Sequence, residues 1–391
     1  MDVLHSRCAG LDVHKKTVVA CVRSVGPDGV VAREVRTFAT MTADLLELAD
    51  WLAAQGVRHL AMESTGVYWK PVWHLLEDRF ELMLVNARHI KQVPGRKTDV
   101  KDAEWIAQLL QHGLLSPSFV PPVPVRELRD LTRQRAQLIA DRATAVNRVQ
   151  KVLESANIKL ASVASDVLGA SGRAMIARLI AGESDPGRLA EEARGSLRKK
   201  VIPLTRALEG RVTEHHRFQL RLLMDQVGQL EGLIGRLDAR IAEVMEAAAA
   251  EDRPPPFREA AARLATIPGV AARSAEVIVA EIGPDMSKFP TAGHLASWAG
   301  LCPGNNESAG RRRTGKTTKG SVWLRSMLVQ VAWSASHTKG TILSETYRKA
   351  VKRLGKKKAL VALGHKMLRI IYEMLKEKTD YVERLQPSQA A

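Results

Sequence analysis

Four carboxylates near the start of the chain have the side-chain type and the spacing to bind a divalent cation. Asp12 lies within the first apolar run, and Glu63 closes a second apolar run. Asp99 and Asp102 are three residues apart, so they share one face if the segment is helical. Mg²⁺ prefers oxygen ligands, and two such ions about 4 Å apart can stabilise both the attacking and the leaving oxygen of a phosphoryl transfer. The four carboxylates therefore indicate a metal-dependent nuclease site, with Mg²⁺ as the expected ion and Mn²⁺ as its substitute.

Each carboxylate also has an ordinary structural explanation when it is taken singly. The helix dipole favours Asp99 and Asp102 in the first turn of a helix without any metal. Glu63 precedes Ser-Thr-Gly, so it could be a strand-end residue in water. Asp12 is harder to explain in this way, because a charge within a buried run needs a partner. We carry the functional interpretation forward for the four residues as a set.

The charge of the chain indicates a polyanionic partner. The net charge is +17 over 391 residues, and the pI is about 10.0. The last part of the chain, from Arg311 to Ala391, holds 19 Lys and Arg against 5 Asp and Glu, and therefore carries most of the excess. Aromatic residues make up only 4%, which argues against a stacking platform for single strands. Acidic residues that bind a cation, inside a basic chain, favour chemistry on nucleic acid, although basic character alone would also suit an anionic membrane surface.

Other classes of protein are disfavoured by the sequence. No apolar stretch approaches the roughly 20 residues that a membrane span needs. The N-terminal residues lack the apolar segment of a signal peptide. Cys8, Cys21 and Cys302 have no metal-ligand spacing. We expect a reduced cytoplasmic protein.

Apolar patterns predict a compact α/β domain over residues 1–124. Residues 8–25 alternate as a strand does, and the Pro27-Asp28-Gly29 turn leads to a second strand, Val30–Phe38. The same approach predicts two more strands and three helices, the first helix with a Thr42 cap: His59–Glu63, Glu81–Val85, Met41–Gln55, Tyr68–Arg79 and Asp99–His112.

The middle of the chain, residues 125–253, is predicted to be a helical coiled-coil assembly region. Prolines from Pro117 to Pro124 mark its start, and a long helix from about Val125 to Glu154 follows. Residues 161–199 are less regular and predict short helices. A heptad seam then runs along a second long helix, through Leu223, Val227, Leu230, Ile234, Leu237, Ile241, Val244 and Ala248. The seam could pack on the first long helix within one chain, or contact a second copy as well.

The last region, residues 254–391, is predicted to be mostly helical. Its Leu264–Gly283 segment resembles a helix-hairpin-helix, in which a Pro-Gly turn points backbone N–H groups at DNA phosphate. An ordinary helix-turn-helix packing unit is the alternative. Helices Ser321–His337 and Ala359–Glu377 are expected to finish the chain.

Several of these segments resemble the DEDD transposases of insertion-sequence family 110, the bridge-RNA-guided DNA recombinases. The similar segments occur in family order: Gly10–Lys15, Met62–Gly66, Asn86–Arg88, Lys97–Ala103, Leu301–Gly304, Ser308–Gly310 and Gly320–Arg325. Together they extend over nearly the whole chain, although the middle region is longer than in compact members of the family.

The resemblance implies an RNase H-like (RuvC-like) N-terminal domain whose carboxylates Asp12, Glu63, Asp99 and Asp102 bind Mg²⁺. It implies a coiled coil for assembly and a C-terminal transposase domain with Ser308 as the nucleophile. The implied partners are donor and target DNA, a non-coding guide RNA, and further copies of the chain in a dimer or tetramer with composite sites. Such a protein would associate with the nucleoid when bound to DNA.

Basic residues surround both sets of implied catalytic residues. A serine hydroxyl is a weak nucleophile that needs activation, and cations behind Ser308 could hold a scissile phosphate. The expected phosphate contacts are Arg96, Lys97, Arg311, Arg312, Arg313, Lys316 and Lys319. A solvated basic loop is the ordinary alternative for the last five.

Three functions remain open from the sequence. The first is an RNA-guided recombinase of a mobile element, which uses the carboxylates and the serine. The second is a junction-resolving nuclease that uses the carboxylates alone, and the third is a non-catalytic nucleic-acid-binding scaffold. A sugar-kinase-type ATPase is disfavoured, because the chain has no second phosphate loop downstream of Asp12.

Overall fold

The chain divides into two compact units, residues 1–120 and 121–391, in the computed structural model. The structure describes residues 2–64, 66–87, 90, 102–247, 256–302, 306–308, 311–314, 317 and 319–383, with 306–308 and 311–314 described by their backbone. Within these ranges, no helix has both the length and the apolarity to cross a membrane. The division into three regions, with boundaries after residues 124 and 253, stays a prediction.

The N-terminal unit is built on a mixed sheet of five strands. In chain order, β1 to β5 are Arg7–Val13, Thr17–Val25, Val31–Ala39, His59–Glu63 and Glu81–Val85. Their order across the sheet is β3-β2-β1-β4-β5. β2 is antiparallel to β1 and β3, whereas β1, β4 and β5 run parallel. β1 is therefore the central strand.

Helices cover both faces of this sheet. The described helices of the unit are α1 (Thr42–Ala54), α2 (Trp69–Leu76) and α3 (Asp102–Gln111). Leu11 and Met62 pack with residues of α1 and α2 in one core cluster. Cys8 and Ala61 pack with residues of α3 in another. This mixed sheet with its helices fits the RNase H-like domain that the resemblance implies.

Local predictions for this unit were confirmed in part. The strands His59–Glu63 and Glu81–Val85 have the predicted bounds. The single strand predicted over 8–25 was wrong, because the polar residues 14–16 form a turn in which the His14 N–H donates to the Thr17 carbonyl at 2.9 Å. The Thr42 cap was also wrong: Met41 occupies the N-cap position of α1, with no side-chain cap hydrogen bond.

Two long helices pair along the C-terminal unit. They are α4 (Val123–Ser155) and the later helix Glu214–Glu246, each of 33 residues. Ion pairs join Arg135 to Asp238 and Arg142 to Glu231. A later residue of the first helix thus pairs with an earlier residue of the second, so the two helices are antiparallel. We call these two helices the stem. The intramolecular pairing expected for the heptad seam is thus present, while contact with a second copy stays a prediction.

The stem covers its apolar seam unevenly. Val227 and Ile241 are buried, whereas Leu230, Ile234 and Leu237 are only half-buried. A half-covered seam is compatible with either arrangement expected from the sequence. It gives no further support to a coiled coil between chains.

A small helical cluster, which we call the tip, joins the two stem helices over residues 156–213. Its helices are α5 (Leu160–Val163), α6 (Ala170–Ile180), α7 (Pro186–Ala190), a 3₁₀ helix (Gly195–Lys200) and α8 (Val201–Ala207), and the second stem helix is α9. Leu160, Leu179, Leu189 and Leu204 are buried in one core with the adjoining ends of the stem. The short helices predicted for residues 161–199 are confirmed.

The described residues in the rest of the unit form helices and one small hairpin. Its elements are α10 (Pro256–Leu264), α11 (Ala272–Ile282), a 3₁₀ helix (Met286–Lys288), α12 (Ala292–Trp298), β6 (Asn306–Ser308), β7 (Arg311–Thr314), α13 (Val322–His337), α14 (Ile342–Leu354) and α15 (Lys356–Glu377). The predicted helix Ser321–His337 is α13, with Ser321 at its N-cap. The helix predicted from Ala359 begins three residues earlier.

The turn of the helix-hairpin-helix-like segment packs inside the unit. Gly269 has φ +88°, and a Cβ built on it would lie 2.4 Å from the backbone nitrogen of Ala335 on α13. The glycine is therefore required by close contact between backbones. This favours the packing unit, which the sequence had left as the alternative to a phosphate-binding turn.

Candidate active site

Asp12 lies near the end of β1, between a buried leucine and a buried valine of the same strand. Leu11 and Val13 are fully buried, whereas the Asp12 side chain keeps 19% of its surface exposed. Its Oδ2 atom lies 3.1 Å from Nε2 of His14, which is mostly exposed. The carboxylate therefore sits at the border between the core and solvent.

Strand geometry places Asp12 and Glu63 on the same face of the sheet. β1 and β4 are parallel, with Leu11 opposite Met62, so the next residues, Asp12 and Glu63, hold neighbouring positions. Side chains alternate between faces along a strand. Because Cys8 and Ala61 pack with α3, Asp12 and Glu63, at even spacings from them, share the face that α3 covers.

Gly10 brings the start of α3 to this face. A Cβ built on Gly10 would lie 2.3 Å from the Ala103 carbonyl oxygen and 2.4 Å from the Ala107 nitrogen. Only a residue without a side chain permits this approach, since a real Cβ would overlap the helix backbone. Asp102, the exposed first residue of α3, is thereby held near the strand position of Asp12.

The charges around Asp12 act in opposite directions. Burial raises the pKa of the Asp12 carboxyl above its ordinary value; the charge of His14 opposes that rise, and the charge of Asp102 adds to it. Asp12 and Asp102 are thus close enough to repel each other. A cation close to both carboxylates would reduce this repulsion.

Some of the remaining predicted residues of the acidic and basic sets lie outside the residues that the structure describes. Asp99, Arg96 and Lys97 lie outside the described residues. Glu104, next to Asp102, pairs with Arg33 instead of facing Asp12. Among the residues that the structure describes, no three His, Cys, Asp or Glu side chains are grouped so as to hold a metal ion. The roles of Asp12, Glu63, Asp99 and Asp102 as metal ligands stay a prediction.

Ser308 lies at the end of a β-strand that opens a tight hairpin. β6 and β7 are antiparallel, and their register places Ser308 opposite Arg311 and Glu307 opposite Arg312. Ser308 and Arg311 therefore flank a connection of two residues, a common length for β-hairpins. Arg313 also lies in β7, Lys319 is exposed, and Lys316 lies outside the described residues. The backbone thus brings the serine and the first arginines to one end of the hairpin.

A buried ionic cluster includes Ser321, which follows this hairpin in the chain, and the sequence analysis missed the cluster. Glu281 on α11 is fully buried. Arg133 donates two hydrogen bonds to its carboxylate, at 2.7 Å and 2.8 Å, and the Ser321 hydroxyl donates a third at 2.9 Å. Ser321 also accepts a hydrogen bond from the Leu324 N–H at 3.2 Å, which caps α13.

Two further contacts fix this cluster. Arg129 donates to the backbone carbonyls of Ala280 and Glu281, and burial lowers the pKa of Arg129 to about 10, so it stays charged at neutral pH. A Cβ on Gly320 would lie 2.3 Å from the backbone of Ala299. The chain segment that leaves the serine hairpin is therefore clamped at Gly320 and Ser321.

A signal for this cluster was present in the sequence. Glu281 interrupts an apolar helical run, and the rule applied to Asp12, that a charge within such a run needs a partner, applies equally here. Arg129 and Arg133 are four residues apart on a predicted helix and so share a face.

Two family models match separate parts of the chain. Residues 9–158 match the model of the DEDD transposases of the IS110 group, and residues 261–348 match the transposase model of the IS116/IS110/IS902 family. The two segments together span more than half of the chain, in the order that the sequence motifs predict. The chain belongs to the IS110 family of DEDD transposases. A role in transposing or recombining DNA follows from membership of this family.

Two relatives are similar to this transposase over about three quarters of its length, and a third is similar over about one third of it. The insertion element IS116 44.8 kDa protein of Streptomyces clavuligerus is 27% identical over 76% of this chain and 79% of its own length. The IS110 43.6 kDa protein of Streptomyces coelicolor is 27% identical over 75% of this chain and 74% of its own. The pilin gene-inverting protein of Moraxella bovis is 30% identical over 34% of this chain and 41% of its own.

One solved structure, RuvC of Thermus thermophilus, aligns with 29% of this IS110-family transposase and 99% of its own chain. The sequence identity is 13%, and the TM-score is 0.22.

Proposed function

We propose that this transposase cuts and rejoins DNA strands with a cation held by Asp12, Glu63, Asp99 and Asp102, and with Ser308 as the nucleophile. The observation that supports the carboxylate half is the shared face of Asp12 and Glu63, to which Gly10 admits the start of α3 and hence Asp102. Members that invert or move DNA must break and remake phosphodiester bonds, and such carboxylate sets suit that chemistry.

The donor set fits a hard divalent cation. Carboxylate oxygens are the ligands that Mg²⁺ prefers, and an exposed Asp102 beside a half-buried Asp12 leaves room for the waters that Mg²⁺ retains. When bound, Mg²⁺ would polarise a phosphoryl oxygen and offset negative charge. His14, 3.1 Å from Asp12, would orient that carboxylate and hold a proton at Nε2.

The serine half of the proposal concerns Ser308 and the cations beside it. The Ser308 oxygen would attack the scissile phosphorus, its proton would pass to a base, and the leaving strand would depart with a 3′ or 5′ hydroxyl. A phosphoserine ester conserves the energy of the broken bond for rejoining. Arg311, Arg312, Arg313 and Lys319 are close in register or sequence, and they would hold the phosphate and offset its charge in the transition state.

The proposed partners are those that the resemblance to the family implies. They are donor and target DNA, a non-coding bridge RNA that pairs with both, and further copies of the transposase. The half-covered apolar seam of the stem is a surface on which copies could assemble. Composite sites would then join the carboxylates of one subunit to the Ser308 hairpin of another.

A nuclease that uses the carboxylates alone is the second candidate. It is favoured by one observation: Asp12, Glu63 and Asp102 all lie in the N-terminal unit, which has its own sheet and core. In that case Ser308 would be dispensable.

Strand exchange on supercoiled donor and target plasmids separates these functions. The reaction would contain Mg²⁺ and RNA from the non-coding flank of the element, and it would compare Asp12→Asn and Ser308→Ala with the controls Asp78→Asn and Ser326→Ala at exposed positions. We expect RNA-dependent recombinants that both active-site changes abolish and neither control affects. We also expect a covalent protein–DNA adduct that requires Ser308.

Other outcomes would contradict the proposal in distinct ways. Cleavage of junction DNA without RNA, lost in Asp12→Asn but retained in Ser308→Ala, would establish the carboxylate-only nuclease. DNA binding without any strand cleavage in the wild type would indicate a scaffold.

A further inference from the structure

The tip carries a cluster of exposed cations that the catalytic proposal does not use. Residues 194–211 contain six basic side chains and a single acidic one, Glu209. All six are exposed: Arg194, Arg198, Lys199, Lys200, Arg206 and Arg211. We call this segment the basic face of the tip.

These cations differ from several arginines of the stem and of the rest of the tip, which have acidic partners. Arg142 and Arg173 both pair with Glu231, and Arg178 pairs with Glu192. Across the described part of the chain, none of the six cations of the basic face has a carboxylate within 4.0 Å. Their positive charge is therefore uncompensated, and it is concentrated at one end of the stem.

A groove passes through the basic face. It has a volume of about 400 Å³ and is lined by Lys159, Ser162, Val163, Ile202, Pro203 and Arg206. The Lys200 ammonium donates to the Val163 carbonyl at 3.4 Å, so it lies beside the same groove. Three cations thus surround a concave strip that contains hydroxyl and apolar groups: Lys200 and Arg206, which have no carboxylate partner among the described residues, and Lys159, which pairs with Glu154.

The backbone holds this groove in a fixed shape. The Lys159 N–H donates to the Ala207 carbonyl at 2.7 Å, and the Arg211 N–H donates to the Ala156 carbonyl at 2.8 Å. A Cβ on Gly210 would lie 2.4 Å from that Ala156 oxygen, so glycine permits the contact. Hydrogen bonds therefore join the backbone near the start of the tip to the backbone near its end.

We propose that the basic face of the tip binds the phosphate backbone of a nucleic acid, as a surface separate from the catalytic residues. Lys and Arg side chains that neutralise phosphates release condensed counterions, which makes such a surface favourable for any polynucleotide. The exposed Ile202, with 75% of its surface accessible, would contact sugar faces within the groove. The matched family segments end at residue 158 and resume at 261, so this surface lies outside both.

A nucleic acid suits this face better than an anionic membrane. Stable membrane binding by an amphipathic helix needs a long apolar face, whereas α8 has seven residues and exposes chiefly Val201 and Ile202. Because the family acts on DNA, polyanions are also at hand during the reaction. Duplex DNA and a folded RNA offer the same phosphate chemistry, and the test below separates them.

The test compares two double variants of the full-length protein with equal changes in charge. Lys200→Gln/Arg206→Gln removes two cations from the basic face, and Arg178→Gln/Arg188→Gln removes two arginines of the tip that are paired with Glu192 and Glu183. Binding to a random 30-base-pair DNA duplex, to an RNA hairpin of equal length and to phosphatidylserine vesicles would be measured without Mg²⁺ over a range of salt.

We expect the basic-face variant to bind the DNA duplex, the RNA hairpin or both about tenfold more weakly than the wild type does. For the duplex, the slope of log affinity against log salt concentration should become smaller by roughly 1.8 units. The paired-arginine control should retain the wild-type affinity and slope. Loss confined to the duplex identifies DNA as the occupant, and loss confined to the hairpin identifies RNA. The proposal would be overturned if the basic-face variant bound the duplex and the hairpin as tightly as the paired-arginine control does. A loss of binding seen only with vesicles would overturn it as well.

Labelling of the wild-type protein keeps the proposal testable if the variant does not fold. Acetylation of Lys199 and Lys200, followed by mass spectrometry, should slow severalfold when the duplex or the hairpin is bound. Unchanged labelling of both lysines at saturating nucleic acid would contradict the proposal. Because binding needs neither Mg²⁺ nor Ser308, these results do not depend on the proposed strand exchange.

Discussion

Asp12 and Glu281 are both carboxylates among apolar residues, but their surroundings differ in kind. Glu281 is fully buried and accepts hydrogen bonds from Arg133 and Ser321, so its charge is matched on all sides. Asp12 has one histidine beside it and a second carboxylate, Asp102, that repels it. A buried carboxylate with cationic and hydrogen-bond partners stabilises the structure around it. A carboxylate that lies near a second carboxylate is stabilised when a cation binds. This contrast gives distinct predictions for the two residues.

The largest effect is expected from Asp12→Asn on catalysis. Loss of a ligand that stabilises transition-state charge removes several kcal/mol, so strand cleavage should fall about 10³-fold or more. The thermal midpoint should stay equal or rise, because the change removes a repelled charge. Cleavage kinetics and thermal melting of the same sample test both parts, and a folded Asp12→Asn protein with wild-type cleavage would remove Asp12 from the site.

Glu281→Leu should act in the opposite way, on stability first. Breaking a buried ion pair by removing one partner typically costs about 3–5 kcal/mol. Here the half-buried Arg133 would lose its partner, and so would Arg129, whose side chain is 12% exposed and lies 3.9 Å from the carboxylate. Urea denaturation should show this loss. The double variant Glu281→Leu/Arg133→Met should recover part of it, and a double variant no more stable than the single one would argue that Arg133 is not the charge left unpaired.

A smaller effect is expected for Ser321→Ala. It removes a hydrogen bond to a charged group and the cap of α13, for a loss of about 1–3 kcal/mol. Ser326→Ala, at an exposed position of the same helix, should change the free energy of unfolding by less than about 0.5 kcal/mol. Equal stabilities of the two variants would mean that Ser321 contributes nothing through Glu281.

The smallest effect concerns Cys8, a buried ionisable group on the face that α3 covers. Burial raises the pKa of the Cys8 thiol to about 12. A raised folded pKa stabilises the fold below the unfolded value of 9.0 and loses that contribution as the pH rises towards 12. Cys8→Ala should therefore weaken the decline of stability between pH 9 and 12. Parallel pH profiles of the wild type and the variant would count against this role.

The sequence was informative wherever one physical signal dominated. Strong apolar runs predicted the exact bounds of β4 and β5. Asp12 was singled out because a buried charge is unfavourable without a partner. The same reasoning was not extended to Glu281, because its partners Arg133 and Ser321 are 148 and 40 residues away in the chain. Pairing over such separations depends on how helices pack, which local patterns do not specify.

In the sequence alone, glycines were the least reliable guide to the contacts that the fold makes. Gly10 appeared only as part of a motif, yet it decides how closely α3 approaches the central strand. Gly269 suggested a phosphate-binding turn, but close contact with Ala335 accounts for it. In both cases the absence of a side chain serves a contact between distant segments, and nothing in the neighbouring residues reveals that contact.

The equal length of the two stem helices gives the tip a defined orientation about the stem axis. Each residue of an α-helix advances by about 1.5 Å and turns by about 100°. One residue added to both helices would swing the basic face sideways, whereas seven added to both would carry it about 10 Å outward and restore its heading to within about 20°. The length of the stem helices therefore determines both how far the tip extends and the direction in which its basic face points.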